Sequence, residues 1–264
     1  MKDKNFIGLT EKLFSLLEAF DQNPRETISL EKITRSVGMA KTTVHRILYS
    51  LRKLGYLDQH ENGDYSLSHK FYQIGRNGLP HRHLTAMAKP LLDKLVIRTG
   101  ESAHIGVIDN GFVLFVAATP SQHAYRCSAE VGECSYAHST ALGKCILAFL
   151  APAELESVIS QRGLPKLTPM TISDATQLAL ELAKVRNQGY AINNNENIEG
   201  VTCIAAPILD NTGKAVAGLS ISGPSSRMHG STESLIQSVK QATFRISMQL
   251  GYHSEIPAGV SMVG

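Results

Sequence analysis

Residues 29–67, SLEKITRSVGMAKTTVHRILYSLRKLGYLDQHENGDYSL, contain the pattern that decides the fold of the N-terminal part. Ser29 is a favourable N-cap residue for a first short helix. Gly38 follows that helix at a tight turn, where a residue without a Cβ atom is favoured. A second helix is predicted from about Ala40 to Leu54. Two short helices joined at a glycine turn are typical of a helix-turn-helix.

The second helix of this pair has an apolar face and a polar, basic face. Its apolar residues recur at the helical period and are predicted to be buried; they are Val44, Ile47, Leu48, Leu51 and Leu54. A helix that enters the major groove of DNA presents its polar face to the base edges. The residues predicted to contact DNA are Lys41, Thr42, Thr43, His45, Arg46, Tyr49 and Lys53.

Arg46 is the strongest of these candidates, because a guanidinium can form two hydrogen bonds with guanine. Thr42 and Thr43 can meet a base or a phosphate, but either could instead only cap the helix. Lys53 could be merely solvated, and His45 could be merely packed against its neighbours. We interpret Arg46 and Thr42 as DNA contacts once the whole motif is considered.

The charge distribution agrees with DNA binding. The whole chain has a net charge of only +3. Between residues 29 and 56, however, six basic residues accompany a single acidic one, Glu31. A local basic excess is typical of a phosphate-binding surface, although a solvated helix face would have the same composition.

The segments on either side complete the motif. Apolar residues at helical spacing predict a further helix over residues 9–20. Residues 56–60 and 64–67 are predicted strands, and Asn62-Gly63 between them is a strong hairpin signal. A hairpin directly after the second helix is interpreted as the wing of a winged helix-turn-helix.

Length and composition predict two folded domains without a membrane span. The chain has 264 residues, of which 43% are hydrophobic and 19% charged. The absence of a long apolar run and of a signal-like N-terminus predicts a cytoplasmic protein. The cysteines are not spaced as a disulfide framework, and they are predicted to be reduced. The histidine spacing does not favour a zinc site, so no metal is predicted.

The second half alternates predicted strands and helices. Asn110-Gly111 joins two strands, and a third strand is predicted over residues 125–130. Further strands are predicted over residues 203–209 and 215–222. Helices are predicted at 83–98, 139–150, 152–161, 174–188 and 232–250. Antiparallel strands with flanking helices indicate an α+β domain.

Small and polar residues in this half suggest a ligand site. Residues 138–141 begin a helix, whose free N–H groups favour an anion. Leu142 and Gly143 are small or smooth enough to let a ligand approach that helix. Ser220 and Ser222 lie two apart on a strand, so their hydroxyl groups point to the same face. Their partner could be a ligand or only the backbone.

Catalysis is not predicted. The chain lacks the GxSxG elbow, the P-loop, the dinucleotide GxGxxG and the HExxH motif, so no cofactor is expected either. A Cys-dependent hydrolase built from Cys203, His138 and Ser220 is the enzymatic alternative, but Cys203 lies in an apolar strand without a nucleophile motif. A DNA-binding protein without a ligand is the other alternative.

The chain resembles the IclR (isocitrate lyase regulator) family of bacterial transcription regulators. The resemblance rests on Gly38, Lys41, Thr42-Thr43, Arg46 and Gly55-Tyr56, and on the segments HSTALGKCILAFL, LTPMTISD and GYAINNNENIEGVTCIAAPILDNTGKAVAGLSISGP. It implies a winged helix-turn-helix over residues 6–68, a helical linker and the start of the sensor domain over 69–98, and a GAF-like effector-binding domain over 99–254. Together they form an α+β protein that covers most of the chain.

The resemblance also implies a function. It implies a ligand-responsive repressor of a catabolic operon, a homodimer or homotetramer that binds a pseudo-palindromic double-stranded DNA operator. Family members that bind small carboxylates use positions matching Ala141, Leu142, Asn193, Cys203, Ser220 and Ser222. The family often has an acidic residue where this chain has Asn193. A neutral amide tolerates a ligand carboxylate, so we hypothesise an anionic effector such as a sugar acid or an aromatic acid.

Overall fold

The structure is a computed structural model that describes residues 7–21, 27–78 and 82–253. The chain divides into two compact units, Met1–Pro80 and His81–Gly264. The division falls inside the segment 69–98 that was expected to be the linker. The helix His69–Gly78 belongs to the first unit and the helix Arg82–Thr99 to the second. Residues 6 and 254, the expected outer limits of the two domains, lie outside the described residues.

The first unit contains four helices among its described residues, with a two-stranded hairpin between the third and the fourth. In chain order the elements are α1 (Gly8–Asp21), α2 (Leu30–Val37), α3 (Lys41–Lys53), β1 (Leu57–Gln59), β2 (Tyr65–Leu67) and α4 (His69–Gly78). The strands β1 and β2 pair antiparallel. This is the order predicted for a winged helix-turn-helix, with β1 and β2 as the wing.

Local sequence explains where the two central helices begin and end. The Ser29 hydroxyl accepts a hydrogen bond from the Lys32 N–H at 3.2 Å, which caps α2. Gly38 ends α2 in the left-handed conformation, with φ of 62°. The N-cap residue of α3 is Ala40, without a side-chain hydrogen bond. Neither Thr42 nor Thr43 therefore caps α3, which removes one alternative explanation for these two residues.

The core of the first unit is formed by α1, α2, α3 and the wing. Its buried members include Leu16, Ile33, Val44, Leu48 and Leu57. The predicted apolar face of α3 is confirmed for Val44, Leu48 and Leu51, and Ile47 is partly buried. The prediction was wrong for Leu54, which is 61% exposed because it lies just beyond the last turn of α3.

The second unit begins with α5 (Arg82–Thr99) and the strands β3 (Ser102–Asp109), β4 (Phe112–Thr119) and β5 (Cys134–Tyr136). A short 3-10 turn (Ala137–Ser139) leads to the helices α6 (Ala141–Leu147), α7 (Pro152–Arg162) and α8 (Ala175–Gln188). The strands β6 (Ala191–Asn194), β7 (Val201–Leu209) and β8 (Ala215–Pro224) follow, and the helices α9 (Ser225–Met228) and α10 (Thr232–Gln249) come last.

Within residues 82–253, the strands form an antiparallel six-stranded sheet in the order β5-β4-β3-β8-β7-β6. The helices α5 and α10 pack on one face of this sheet, and α6 and α8 pack on the other. Apolar residues of β7 point alternately into the two cores, whereas the buried apolar residues of β3 and most of those of β8 point into the core under α5 and α10. Sheet and helices together confirm the predicted α+β class.

One strand prediction was wrong. Residues 125–130 form no strand, and the edge strand next to β4 is β5, a few residues later. The backbone N–H of Ala129 donates instead to the imidazole of His104, a residue of β3. The segment is therefore held by a side chain of the sheet, and its own backbone does not join the sheet.

Candidate DNA-binding surface and effector cavity

The polar face of α3 is exposed as predicted. Lys41, Thr42, His45, Arg46, Tyr49 and Lys53 are exposed, and Thr43 is half-buried. The same helix buries Val44, Leu48 and Leu51 on its other face, so the polar residues are held on a fixed support. Their contact with DNA stays a prediction.

The basic side chains of α3 differ in the contacts that they make with other side chains of the protein. Lys41 lies 3.7 Å from the Glu31 carboxylate, in an exposed and therefore weak ion pair. Arg52 and Lys53 both lie 5.7 Å from the centre of the Tyr49 ring. Among the described residues, the Arg46 guanidinium has no hydrogen bond or ion pair. Arg46 can therefore bind an external group without breaking an internal contact.

The second unit contains a cavity of about 310 Å³ between the sheet and the first turn of α6. All the residues that the resemblance implied for effector binding line it, namely Ala141, Leu142, Asn193, Cys203, Ser220 and Ser222. Sheet register explains their proximity. Ser222 of β8 is paired with Cys203 of β7, which is paired with Asn193 of β6. These side chains therefore form one row on the same face of the sheet.

Asn193 presents hydrogen-bond donors to the cavity. Its Oδ1 accepts the backbone N–H of Glu196 at 2.8 Å, which fixes the orientation of the amide. Its Nδ2 has no partner among the described residues, although the residue is only 2% exposed. Ser220 is similarly buried, and its hydroxyl has no partner in that part of the chain. Neither atom is fully enclosed by protein, so both polar groups open onto the cavity, where a ligand can satisfy them.

The first turn of α6 meets the cavity differently from what the sequence suggested. The Thr140 hydroxyl accepts the N–H of Gly143 at 3.0 Å, so the N-terminal N–H groups of α6 that remain belong to Ala141 and Leu142. Gly143 does not line the cavity. A Cβ atom there would lie 2.0 Å from the carbonyl oxygen of Ala137. Gly143 is therefore required for close packing against the 3-10 turn and not for ligand access.

The geometry does not support a Cys-dependent hydrolase. Burial raises the pKa of the Cys203 thiol to about 12, which disfavours the nucleophilic thiolate. His138 does not line the cavity with Cys203. Its Nε2 is hydrogen-bonded to the backbone oxygen of Pro165 at 3.0 Å. The structure therefore does not bring the suggested nucleophile and base together.

His104 is a cavity residue that the sequence reasoning missed. It lies on β3, is 1% exposed, and lines the cavity beside Ser220 and Ser222. Its Nε2 is 3.1 Å from the Ala129 backbone nitrogen, and its Nδ1 is 3.1 Å from the Ser222 hydroxyl. Burial lowers its pKa from 6.5 to about 4, so the ring is neutral near neutral pH. The alternation of side chains along β3 predicts that His104 lies on the same face of the strand as Ser102. It does not predict the contact with Ser222, because Ser222 lies on a different strand.

The lowered pKa of His104 predicts a pH dependence of stability. As the pH falls through 6.5 the unfolded chain gains a proton, whereas the folded chain does so only at about 4. The free energy of unfolding should therefore fall across this interval, by about 3 kcal/mol in total. We expect this component in urea unfolding followed by circular dichroism, and we expect His104→Asn to lack it. An identical pH dependence in both proteins would contradict the prediction.

A buried ion-pair cluster lies behind the cavity. Lys144 of α6 is 1% exposed, and its ammonium contacts the Glu196 carboxylate at 2.7 Å, the Glu181 carboxylate at 3.2 Å and the Ile192 carbonyl at 2.7 Å. Burial raises the pKa of Glu196, while Lys144 acts in the opposite direction. Because the Glu196 N–H also fixes Asn193, Lys144 supports the cavity indirectly.

The mouth of the cavity is exposed and combines polar side chains with the apolar Ile198. Arg126, Ser128 and Glu133 are exposed lining residues, whereas Asn193 and Ser220 at the inner end are buried. Formal charge is therefore confined to the entrance, and neutral hydrogen-bond donors lie inside.

The described residues offer neither a metal site nor a membrane-spanning helix. In these residues no group of histidine, cysteine and acidic side chains is arranged to hold a metal ion. In the same ranges, no helix is long and apolar enough to cross a membrane.

Comparison with known proteins connects both units to one family. The IclR helix-turn-helix domain matches residues 10–61, and the C-terminal domain of bacterial IclR transcriptional regulators matches residues 77–248. The HTH-type transcriptional regulator KdgR of Dickeya chrysanthemi is 33% identical over 254 residues, which cover 96% of this chain and 83% of that protein.

Solved structures agree with the fold. The crystal structure of IclR from Thermotoga maritima aligns with a TM-score of 0.80 and 28% identity, over 94% of this chain and 100% of that one. An IclR homologue from Microbacterium hydrocarbonoxydans complexed with 4-hydroxybenzoate aligns with a TM-score of 0.82, over 92% of this chain and 98% of that one. At 24% identity, the second likeness shows the fold alone. The chain belongs to the IclR family of helix-turn-helix transcriptional regulators.

Proposed function

We propose that this regulator binds operator DNA through α3 and that a small organic acid in the cavity changes its affinity for that DNA. The observation that carries the ligand proposal is the Asn193 amide, whose Nδ2 opens onto the cavity and has no partner in the described chain, although the residue is only 2% exposed. An oxygen acceptor on the ligand would satisfy this group.

The other inner groups favour the same ligand class. Ser220 offers a hydroxyl, and Ala141 and Leu142 offer the first N–H groups of α6. A carboxylate accepts several hydrogen bonds at once, and bonds to a charged acceptor are the stronger ones. Among the described residues that line the cavity, the one carboxylate is that of Glu133, which lies at the exposed mouth and not beside these donors.

The size of the cavity limits the ligand. A volume of about 310 Å³ suits a small molecule near the lower end of the usual range for ligand sites. Phe115 and Leu142 provide apolar lining beside the polar groups. An aromatic acid or a sugar acid fits this combination, and the Microbacterium homologue named above was crystallised with an aromatic acid.

We further propose a regulatory role, a location and an oligomeric state for the protein. The protein acts as a repressor of a catabolic operon, in the cytoplasm, as a homodimer or homotetramer. Two copies of α3 would then read a pseudo-palindromic operator, with half-sites about one helical turn (~34 Å) or a multiple of it apart. No catalytic step is included, because burial raises the pKa of the Cys203 thiol to about 12 and His138, the base suggested for it, does not line the cavity.

The test combines ligand binding with DNA binding. The full chain is titrated by calorimetry with 4-hydroxybenzoate, pyruvate, galacturonate and the neutral amides of these acids. Operator affinity is measured by fluorescence anisotropy on the intergenic DNA upstream of the gene, with excess unrelated DNA. We expect at least one acid to bind more tightly than its amide and to change operator affinity by about 10-fold, a typical coupling.

Asn193→Leu is the variant that tests the site, and Asn187→Leu, at an exposed position on α8, is its control. Loss of a hydrogen bond to a charged acceptor should weaken acid binding by about 10- to 150-fold in the first variant only. Equal binding of acid and amide would overturn the proposed ligand class. Specific DNA binding that no acid alters would favour a ligand-independent DNA-binding protein.

A further inference from the structure

We propose that His104 is a positioning residue that makes the Ser222 hydroxyl a hydrogen-bond donor to the effector. The cavity would then select ligands that place an oxygen acceptor at Ser222 and discriminate against ligands that place a donor there. This inference deepens the proposed function and rests on it for the identity of the cavity as the effector site.

The Ala129 backbone determines the tautomer of His104. Its Nε2 lies 3.1 Å from the backbone nitrogen of Ala129. A backbone N–H can only donate, so Nε2 must be the nitrogen that carries a lone pair. A neutral imidazole with a free lone pair on Nε2 has its hydrogen on Nδ1.

The imidazole ring of His104 is neutral and fixed in place. A doubly protonated ring would direct a second N–H at the Ala129 N–H, and burial also disfavours the charged form. Phe115 contacts the imidazole edge-on, with ring centres 5.7 Å apart and planes at 74°. The contacts to Ala129 and Phe115 hold the ring with Nδ1 toward β8.

The tautomer of His104 determines that Ser222 accepts the hydrogen bond between them. The Nδ1–H of His104 lies 3.1 Å from the Ser222 hydroxyl oxygen and must donate to it. A hydroxyl has a single hydrogen, which is then free to point away from His104. Its neighbour on that side within the sheet is Cys203, whose sulfur is a weak acceptor. A ligand oxygen in the cavity would be a better acceptor for the same hydrogen.

The inner end of the cavity therefore presents hydrogen-bond donors at Asn193 and Ser222. Backbone groups fix both of its directional donors, since the N–H of Glu196 orients Asn193 and the N–H of Ala129 orients His104 and through it Ser222. Neither group can reverse its polarity to suit a donor ligand without losing a buried hydrogen bond. The backbone N–H groups of Glu196 and Ala129 therefore make the cavity selective for ligands with hydrogen-bond acceptors.

Two substitutions separate the functions of the two ring nitrogens. Asn at position 104 offers an amide N–H near the position of Nδ1, so it keeps the donor to Ser222. Gln reaches the position of Nε2, so its carbonyl accepts from Ala129 but the donor to Ser222 is lost. We expect His104→Asn to bind the acid within about 3-fold of wild type, and His104→Gln to bind about 10-fold more weakly.

A double-mutant cycle shows whether His104 acts through Ser222. In the Ser222→Ala background, His104→Gln should weaken acid binding by no more than about 2-fold, because its target is absent. Equal losses in His104→Asn and His104→Gln would overturn the inference. A full additional loss in the Ser222→Ala background would do the same, since His104 would then act directly or only through stability.

The tautomer can be measured without any ligand. In a sample labelled with ¹⁵N only at its 10 histidines, long-range ¹H–¹⁵N spectra distinguish the two neutral tautomers. The His104 signals are those missing from the His104→Asn spectrum, and we expect the Nδ1–H pattern. An Nε2–H pattern would overturn the inference while leaving the proposed function intact. Failure of every acid to bind would instead overturn the proposed function and leave the tautomer result standing.

Discussion

Replacing Arg46 with alanine should weaken binding to operator DNA by about 5- to 150-fold, the range measured for one good side-chain contact with a base pair. Arg46 is exposed on the polar face of α3, and within the described chain its guanidinium has no partner to lose. The substitution should therefore act on the complex and not on the free protein. Fluorescence anisotropy with operator and unrelated DNA measures the effect.

The control for Arg46 is a change of equal charge elsewhere. Arg245, exposed on α10 of the second unit, loses the same charge when replaced by alanine and should leave operator affinity within about 2-fold. Lys53→Ala should weaken operator and unrelated DNA alike and reduce the salt dependence by about one charge, as a phosphate contact does. If Arg46→Ala also weakened both DNAs equally, Arg46 would be a phosphate contact and its assignment to a base would be wrong.

Replacing Lys144 with methionine should lower the free energy of unfolding of the second unit by about 3–5 kcal/mol, the usual cost of breaking a buried ion pair. Methionine fills a similar volume, but it leaves Glu196 and Glu181 facing each other without a cation. Glu196 is 9% exposed at its side chain and has one oxygen, Oε2, without a partner among the described residues. Urea denaturation measures the loss.

Two further variants identify the cause of that loss. Lys144→Met combined with Glu196→Gln should recover part of the stability, because the carboxylate that lost its cation is replaced by a neutral amide. Lys214→Met breaks the ion pair with Glu154, in which the side chains of Lys214 and Glu154 are 52% and 47% exposed. It should lower the free energy of unfolding by less than about 1 kcal/mol. If Lys214→Met cost as much as Lys144→Met, burial of the pair would not explain the effect.

Features that depend on neighbouring residues were predicted well. The helix α2 begins at its Ser29 cap and ends at Gly38, and the hairpins at Asn62-Gly63 and Asn110-Gly111 join the strands that flank them. Such signals act over a few residues, so they survive in any fold that contains them. Leu54 was misplaced because periodicity alone does not show at which residue the last turn of α3 stops.

Features that depend on distant partners were not predicted. The wrong strand at residues 125–130 and the missed role of His104 have the same cause. His104 contacts Ala129, 25 positions away, and Ser222, 118 positions away. The Lys144 cluster joins α6 to Glu196, 52 positions later. No local pattern indicates such pairs. Of the cavity residues implied by the family resemblance, Asn193 and Cys203 came from it alone. Ala141 and Leu142 were also suggested by the helix start, and Ser220 and Ser222 by strand alternation.

The position of β8 next to β3 determines when each half of the chain can acquire its structure during synthesis. The helix-turn-helix closes through contacts within one short stretch of chain, such as the bridge that joins Ile28 to Tyr65. The central pairing of the second unit instead joins Ser102 to Ser222, so the floor of the cavity cannot form until β8 has left the ribosome. A nascent chain therefore has a folded DNA-binding unit well before it has a ligand-binding one. Premature termination ahead of Ala215 would leave the helix-turn-helix unit without the effector cavity proposed above.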